Sequence, residues 1–235
     1  MNLLFGITAI GFVLLTALLY GLVLRHLRTA LAKTGWTEEK QKGIRTGAFI
    51  AIMIWSILVA GVALTGLAGK FEWFPFNIAP FLFIPLVGIL WITFSAGTKE
   101  ILKHVPIRAL TSLQVFRVFV EILLWMLFIQ NLLPEQMTFE GRNFDILAGI
   151  TAPLMAYFFS DNKKVMVVWN LLSLALLINI VTIAILSMPA PFQVFFNEPS
   201  NTIVTKFPFI FLPTFLVPLA YGLHFLSLRK LFMKE

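Results

Sequence analysis

Gln114, Arg117 and Glu121 stand three and four residues apart inside a run, Leu110 to Leu133, that holds about seventeen apolar residues. At about 100° per residue the three side chains share an arc of about 60°, a single polar stripe on an otherwise greasy helix. A charge near a bilayer centre costs about 2.5 to 3.5 kcal/mol on the insertion scale, and each apolar residue returns roughly 0.3 to 0.6, so such a helix inserts with both charges. The stripe must then look into protein or a wet cavity. Two chemistries fit it. Arg117 and Glu121, four apart, form a self-neutralising pair that pins helix packing, or they bind an ion, a proton or a small polar solute.

A second cluster, Glu140, Arg142, Asn143 and Asp145, with Glu135 ahead of it, precedes the next apolar run. Asn143 is a candidate N-cap there, and the charge of Asp145 suits the positive end of a helix dipole. The alternative is the polar outer mouth of a site reaching down towards Glu121. Asn170 and Asn179, nine apart, face opposite sides of the sixth run, each placed for an interhelical hydrogen bond. The seventh run sets Thr214, Tyr221 and His224 on one side, with Pro213 and Pro218 freeing backbone carbonyls. Gln114, Arg117, Glu121, Asn170, Tyr221 and His224 therefore define a candidate ligand- or ion-binding site between the fourth, sixth and seventh runs. His26, His104 and His224 raise metal or haem ligation, but none has a metal-spaced partner. No metal and no cofactor is expected. The chain has no cysteine, no Gly-rich phosphate loop and no nucleophile beside a base.

The elements that must hold these groups are read from hydropathy. Hydrophobic residues make up 59% of the 235 and charged residues 12%, with a mean hydropathy of +0.92, whereas soluble domains run near a quarter charged. A spanning helix needs roughly 20 apolar residues. Seven runs approach that length: Leu3 to Leu24, Gly47 to Gly69, Asn77 to Gly97, Leu110 to Leu133, Phe144 to Ser160, Val165 to Ser187 and Phe207 to Leu228. None alternates in the manner of a barrel strand. The expected fold is an all-α, single-domain bundle of seven transmembrane helices.

Lys and Arg crowd one set of connections: Arg25, Arg28, Lys33, Lys40, Lys42 and Arg45, then Lys99, Lys103 and Arg108, then Lys163 and Lys164, then Arg229, Lys230 and Lys234. The other side has Lys70, Arg142 and Lys206. The positive-inside bias expects an outside N-terminus and a cytoplasmic C-terminus, in a cell (inner or plasma) membrane. The net charge of +7 is then a solvated cytoplasmic face meeting anionic lipid headgroups, with no nucleic-acid partner. Met1-Asn2-Leu3 carries no basic n-region, so the first run is expected to be retained. Thr37-Glu38-Glu39-Lys40 reads as a helix start. Phe71 to Phe76 and Pro191 to Phe196 read as interfacial aromatic anchors, or as a lid over a cavity.

Three functions follow: a carrier or channel for a small polar or ionic solute through the site between runs four, six and seven; a membrane enzyme on a lipid or isoprenoid, with Glu121 or Glu140 as acid or base and His224 as partner; or a sensor, assembly or accessory subunit whose polar groups only hold helices together.

Overall fold

A computed structural model describes residues Leu3–Met233. Met1, Asn2 and Lys234, on which the readings of the N-terminus and of the basic tail partly rest, lie outside the described residues. The chain is all-helical among those residues, with nine α-helices: α1 (Leu3–Leu31), α2 (Glu38–Leu64), α3 (Ala79–Phe94), α4 (Ala96–Lys103), α5 (Ile107–Leu113), α6 (Phe116–Phe128), α7 (Ile146–Phe158), α8 (Lys163–Leu186) and α9 (Val217–Phe232). Four helices are long and apolar enough to cross a membrane: α1, α2, Ile107–Phe128 (α5 with α6) and α8; there are five if the bent pair α3 and α4 is one span.

Local chemistry sets the boundaries. Thr37 caps α2 by accepting the Lys40 N–H at 3.4 Å, and Glu38 and Glu39 lie at the positive dipole end. The helix begun there runs on into the second apolar run instead of stopping at a surface. It ends at Thr65, before Gly66 turns to φ +74°, a left-handed conformation that glycine adopts freely. Ser95 breaks α3: its backbone is extended, and its hydroxyl accepts the Thr98 N–H to start α4 at 67° to α3. The end of α9 holds this bend, since the Arg229 guanidinium donates to the Thr93 and Ser95 carbonyls and the Lys230 ammonium to Leu102 O at 2.6 Å. Cations at helix C-termini satisfy carbonyls that have no helical partner.

Three of the runs are less regular than their hydropathy. Between α5 and α6, Gln114, Val115, Arg117 and Val118 each donate to the residue three before, a tight step inside the fourth run. The fifth run yields only the 13 residues of α7, about 20 Å of helix against a hydrocarbon thickness of about 30 Å. The seventh begins with an irregular stretch, passes through a π-helix at Leu212–Leu216 and becomes α-helical at Val217.

Those irregular stretches gather at one end. The connector 129–145 buries Leu133, Met137, Thr138, Asn143 and Asp145, and the connector 187–211 buries Ser187, Asn201, Val204, Phe209 and Ile210. They touch where Gln136 Nε2 donates to Ser187 Oγ at 3.0 Å. The two aromatic segments meet there as well, Phe74 against Phe192 with ring centroids 4.9 Å apart. Around the middle, Phe12, Leu19, Leu127, Met137, Phe209 and Leu216 form one apolar core shared by α1, α6, the connectors and the final segment. α2 sits outside it, with only Val59 and Ala63 buried. Lipid is as apolar as leucine, so burial alone contributes little to helix association in a bilayer and hydrogen bonds matter more. Two fasten α2: Ser56 Oγ lies 2.7 Å from the Tyr20 hydroxyl of α1, and the Trp55 indole donates to Thr214 O at 3.0 Å, the carbonyl that Pro218, lacking an N–H, leaves open.

Candidate functional site

α7 runs antiparallel along α5 and α6. Arg108 Nε donates to Ser160 Oγ at 3.1 Å at one end, and Gly149 lies against Val118 at the other. A Cβ on Gly149 would stand 2.8 Å from the Val118 backbone nitrogen and 3.3 Å from Arg117 Cβ. Only glycine permits that approach, and it brings the start of α7 beside Arg117.

There Arg117, 2% exposed, makes a two-pronged ion pair with Asp145: Nε donates to Oδ2 at 2.6 Å and Nη2 to Oδ1. Nη2 also reaches Ser173 O at 3.3 Å, and Nη1 meets His224 Nε2 at 3.0 Å. The reading of Arg117 as the partner of Glu121 is thus corrected: its ion pair is with Asp145, because the connector folds back along α6 and delivers that carboxylate to it. Glu121 is held by Asn143, whose Nδ2 lies 2.7 Å from each carboxylate oxygen and 3.0 Å from Met137 O. Asn143 Oδ1 accepts the Asp145 N–H at 3.0 Å, so one asparagine starts the turn into α7 and holds Glu121. Asp145 occupies the N-cap position without capping; its carboxylate is committed to Arg117.

On the far side, His224 Nδ1 lies 2.9 Å from Asn170 Oδ1, while Asn170 Nδ2 donates to Met166 O at 2.8 Å and to Ser227 Oγ at 3.1 Å. These contacts fix the imidazole. Asn170 Oδ1 only accepts, so Nδ1 carries the proton; Nε2 faces a guanidinium N–H and must offer its lone pair. His224 is therefore neutral, and neither ring nitrogen is free for a metal. The network runs Glu121, Asn143, Asp145, Arg117, His224, Asn170, Ser227, and joins α6, α7, α8 and α9. Gln114 extends it, donating from Nε2 to Ala220 O at 3.2 Å, while its buried Oε1 has no partner among the described residues.

Of the candidate site residues, Gln114, Arg117, Asn170 and His224 come together from the fourth, sixth and seventh runs. Tyr221 does not join their hydrogen bonds; its ring stacks on Phe225 at 5.9 Å. The outer mouth divides. Asn143 and Asp145 are buried in the network, whereas Glu140 and Arg142 are exposed, Glu140 accepting from Trp125 Nε1 at 2.6 Å and Arg142 lying 5.2 Å from the Phe195 ring. Neither Glu121 nor Glu140 is bonded to His224, so the acid–base pairing with that histidine is absent. Asn170 and Asn179 do face apart: Asn179 is exposed and donates to Arg142 O at 3.2 Å. Ser173 and Ser227 were not singled out by sequence; Ser227 follows His224 by three residues, the spacing of one helix face.

Two open clefts are lined by no residue of the network. One, of about 550 Å³, runs between Arg142, Asn179, Leu186 and Phe195. The other, of about 650 Å³, lies between Phe94, Lys99, Phe225 and Arg229.

These features define a class: an all-helical protein with four to five apolar helices of membrane-crossing length, organised around a buried arginine–aspartate pair and a neutral histidine. The chain belongs to the family described as Domain of unknown function (DUF8737), which matches residues 73–232 and so takes in every residue of the network. No curated protein and no solved structure matches it.

Proposed function

We propose that this chain is a seven-helix membrane carrier of a small polar or ionic solute, with its N-terminus outside, in which Arg117 exchanges between two carboxylates. The observation that carries this reading is one buried guanidinium near two buried carboxylates: Arg117 is bonded to Asp145, while Glu121, the second, stands one helical turn away on the uncharged Asn143. Intramembrane ionisable groups are expensive and mark ion or solute pathways. A proton or cation at Asp145 would release Arg117 towards Glu121, four residues along its own helix. That exchange would loosen the start of α7 from α6 at the tight step between Gln114 and Val118. The π-helix at Leu212–Leu216, next to Pro213 and Pro218, supplies a second place to bend. Gln114 Oε1, without a partner among the described residues, is an acceptor available to a solute donor.

The seventh crossing in this scheme is the irregular segment with the π-helix and α9. The fifth is α7 completed by the connector 129–145, non-helical backbone being tolerated at membrane depth where protein buries it. Protein in liposomes loaded with a pH-sensitive dye, under an imposed potential, tests the proton as the first ion. Wild type should carry protons faster than protein-free liposomes, and Glu121→Gln, which leaves the Arg117–Asp145 pair in place, should abolish the excess while staying folded. A flux no greater than in empty liposomes, or one untouched by Glu121→Gln, overturns proton coupling at this site.

A further inference from the structure

At the opposite end from the irregular connectors, the cleft of about 650 Å³ has walls of Phe94, Phe225, Leu228 and Phe232 and two cations, Lys99 and Arg229, with Met233 closing the set. We propose that this cleft is a site for an anionic phospholipid, the phosphodiester on Lys99 and Arg229 and the acyl chains along the aromatic wall.

The cations are available. Lys99 is exposed and its ammonium makes no bond among the described residues. Arg229 spends only Nη1 on the Thr93 and Ser95 carbonyls, leaving Nε and Nη2 without a protein partner there. No carboxylate lines the cleft. The walls are equally open, Phe94 being 68% and Phe232 63% exposed. A soluble anion would answer the cations and make no use of the rings; a neutral apolar molecule would cover the rings and leave the cations unpaired. An amphiphile with an anionic head answers both. The cleft's volume lies inside the range of about 300 to 1,000 Å³ of small-molecule sites.

The fold sets the depth. α3 is apolar, and the 67° bend at Ser95 turns α4 across its end. α4 buries Leu102 and presents Lys99, Glu100 and Lys103, the two-faced character of a helix lying in a headgroup layer. In the orientation proposed above this layer is the cytoplasmic leaflet, where anionic lipids concentrate. The site itself rests on the cleft, not on transport.

Native mass spectrometry from detergent micelles, titrating dioleoyl phosphatidylglycerol against dioleoyl phosphatidylcholine, tests it; micelles have no sides, so the outcome is independent of orientation and of carriage. Wild type should prefer the anionic lipid, and Lys99→Gln should weaken that binding about fivefold, the factor one cation contributes near an anionic surface. Phe232→Ser should weaken it too. Lys103→Gln is the control: Lys103 is already paired with Glu100 at 2.6 Å and lies outside the cleft, so binding should not change. Equal affinity for the two lipids, an equal loss in Lys99→Gln and Lys103→Gln, or saturation by free glycerol phosphate would each overturn the proposal.

Discussion

Replacing Asp145 by Asn keeps the shape of the side chain and removes its charge, leaving the Arg117 guanidinium buried with a neutral partner. Breaking a buried pair from one side costs about 3 to 5 kcal/mol, because the surviving charge is uncompensated. Glu121→Gln should cost less, about 1 to 3 kcal/mol, since what is lost is a hydrogen bond to the Asn143 amide. If Glu121 is the reserve partner of Arg117, Asp145→Asn alone falls at the low end of its range, and the double variant costs more than the sum of the singles by at least about 1 kcal/mol. The assay is fluorescence-detected thermal unfolding in one detergent. At about 2 to 4 °C per kcal/mol for a chain of this size, Asp145→Asn should lower Tm by about 6 to 20 °C. A shift under about 2 °C would refute the Arg117–Asp145 pair, and strict additivity of the double variant would refute the exchange.

His224→Phe fills the space but strands the Arg117 Nη1 donor and the Asn170 acceptor, so it should cost about 2 to 5 kcal/mol in the same assay, with His224→Gln recovering part of the loss. Trp55→Phe should cost about 1 to 3 kcal/mol by leaving Thr214 O bare, and should cost less in a Pro218→Ala background, where a backbone N–H is restored to that carbonyl. Gly149→Ala should destabilise by about 1 to 3 kcal/mol, because its Cβ meets a backbone nitrogen at 2.8 Å. Gly11→Ala should cost less, because its Cβ meets only the mobile end of Leu123 at 2.6 Å.

The helical class was legible in the apolar runs, and the convergence of Gln114, Arg117, Asn170 and His224 followed from their depth along them. What hydropathy hid was the partner of Arg117. A count of apolar residues treats Phe144 to Ser160 as one more crossing and sets Asp145 at its outer edge. The close approach at Gly149 and the burial of the connector instead draw that carboxylate inwards to meet α6. The Glu121 to Asn143 bond was hidden for the same reason, since residues 22 apart meet only if the chain between them folds back. Asn170 and Asn179 were readable as opposed faces because both lie on one unbroken helix, α8, where the period holds. Tyr221 shares a run with His224 yet engages Phe225 instead, a choice made by packing that spacing does not encode.

The crowding of the irregular connectors at one end gives melting a direction. Backbone with few helical bonds opens at lower free energy than long helices do, so heat or denaturant should loosen 129–145 and 187–211 while α8 and the inner part of α9 stay closed. Asn143 lets go of Glu121 at the first stage; Asn170 keeps hold of His224 until the last. Water therefore reaches the carboxylate before it reaches the imidazole, and the chain of hydrogen bonds unzips from its acidic end.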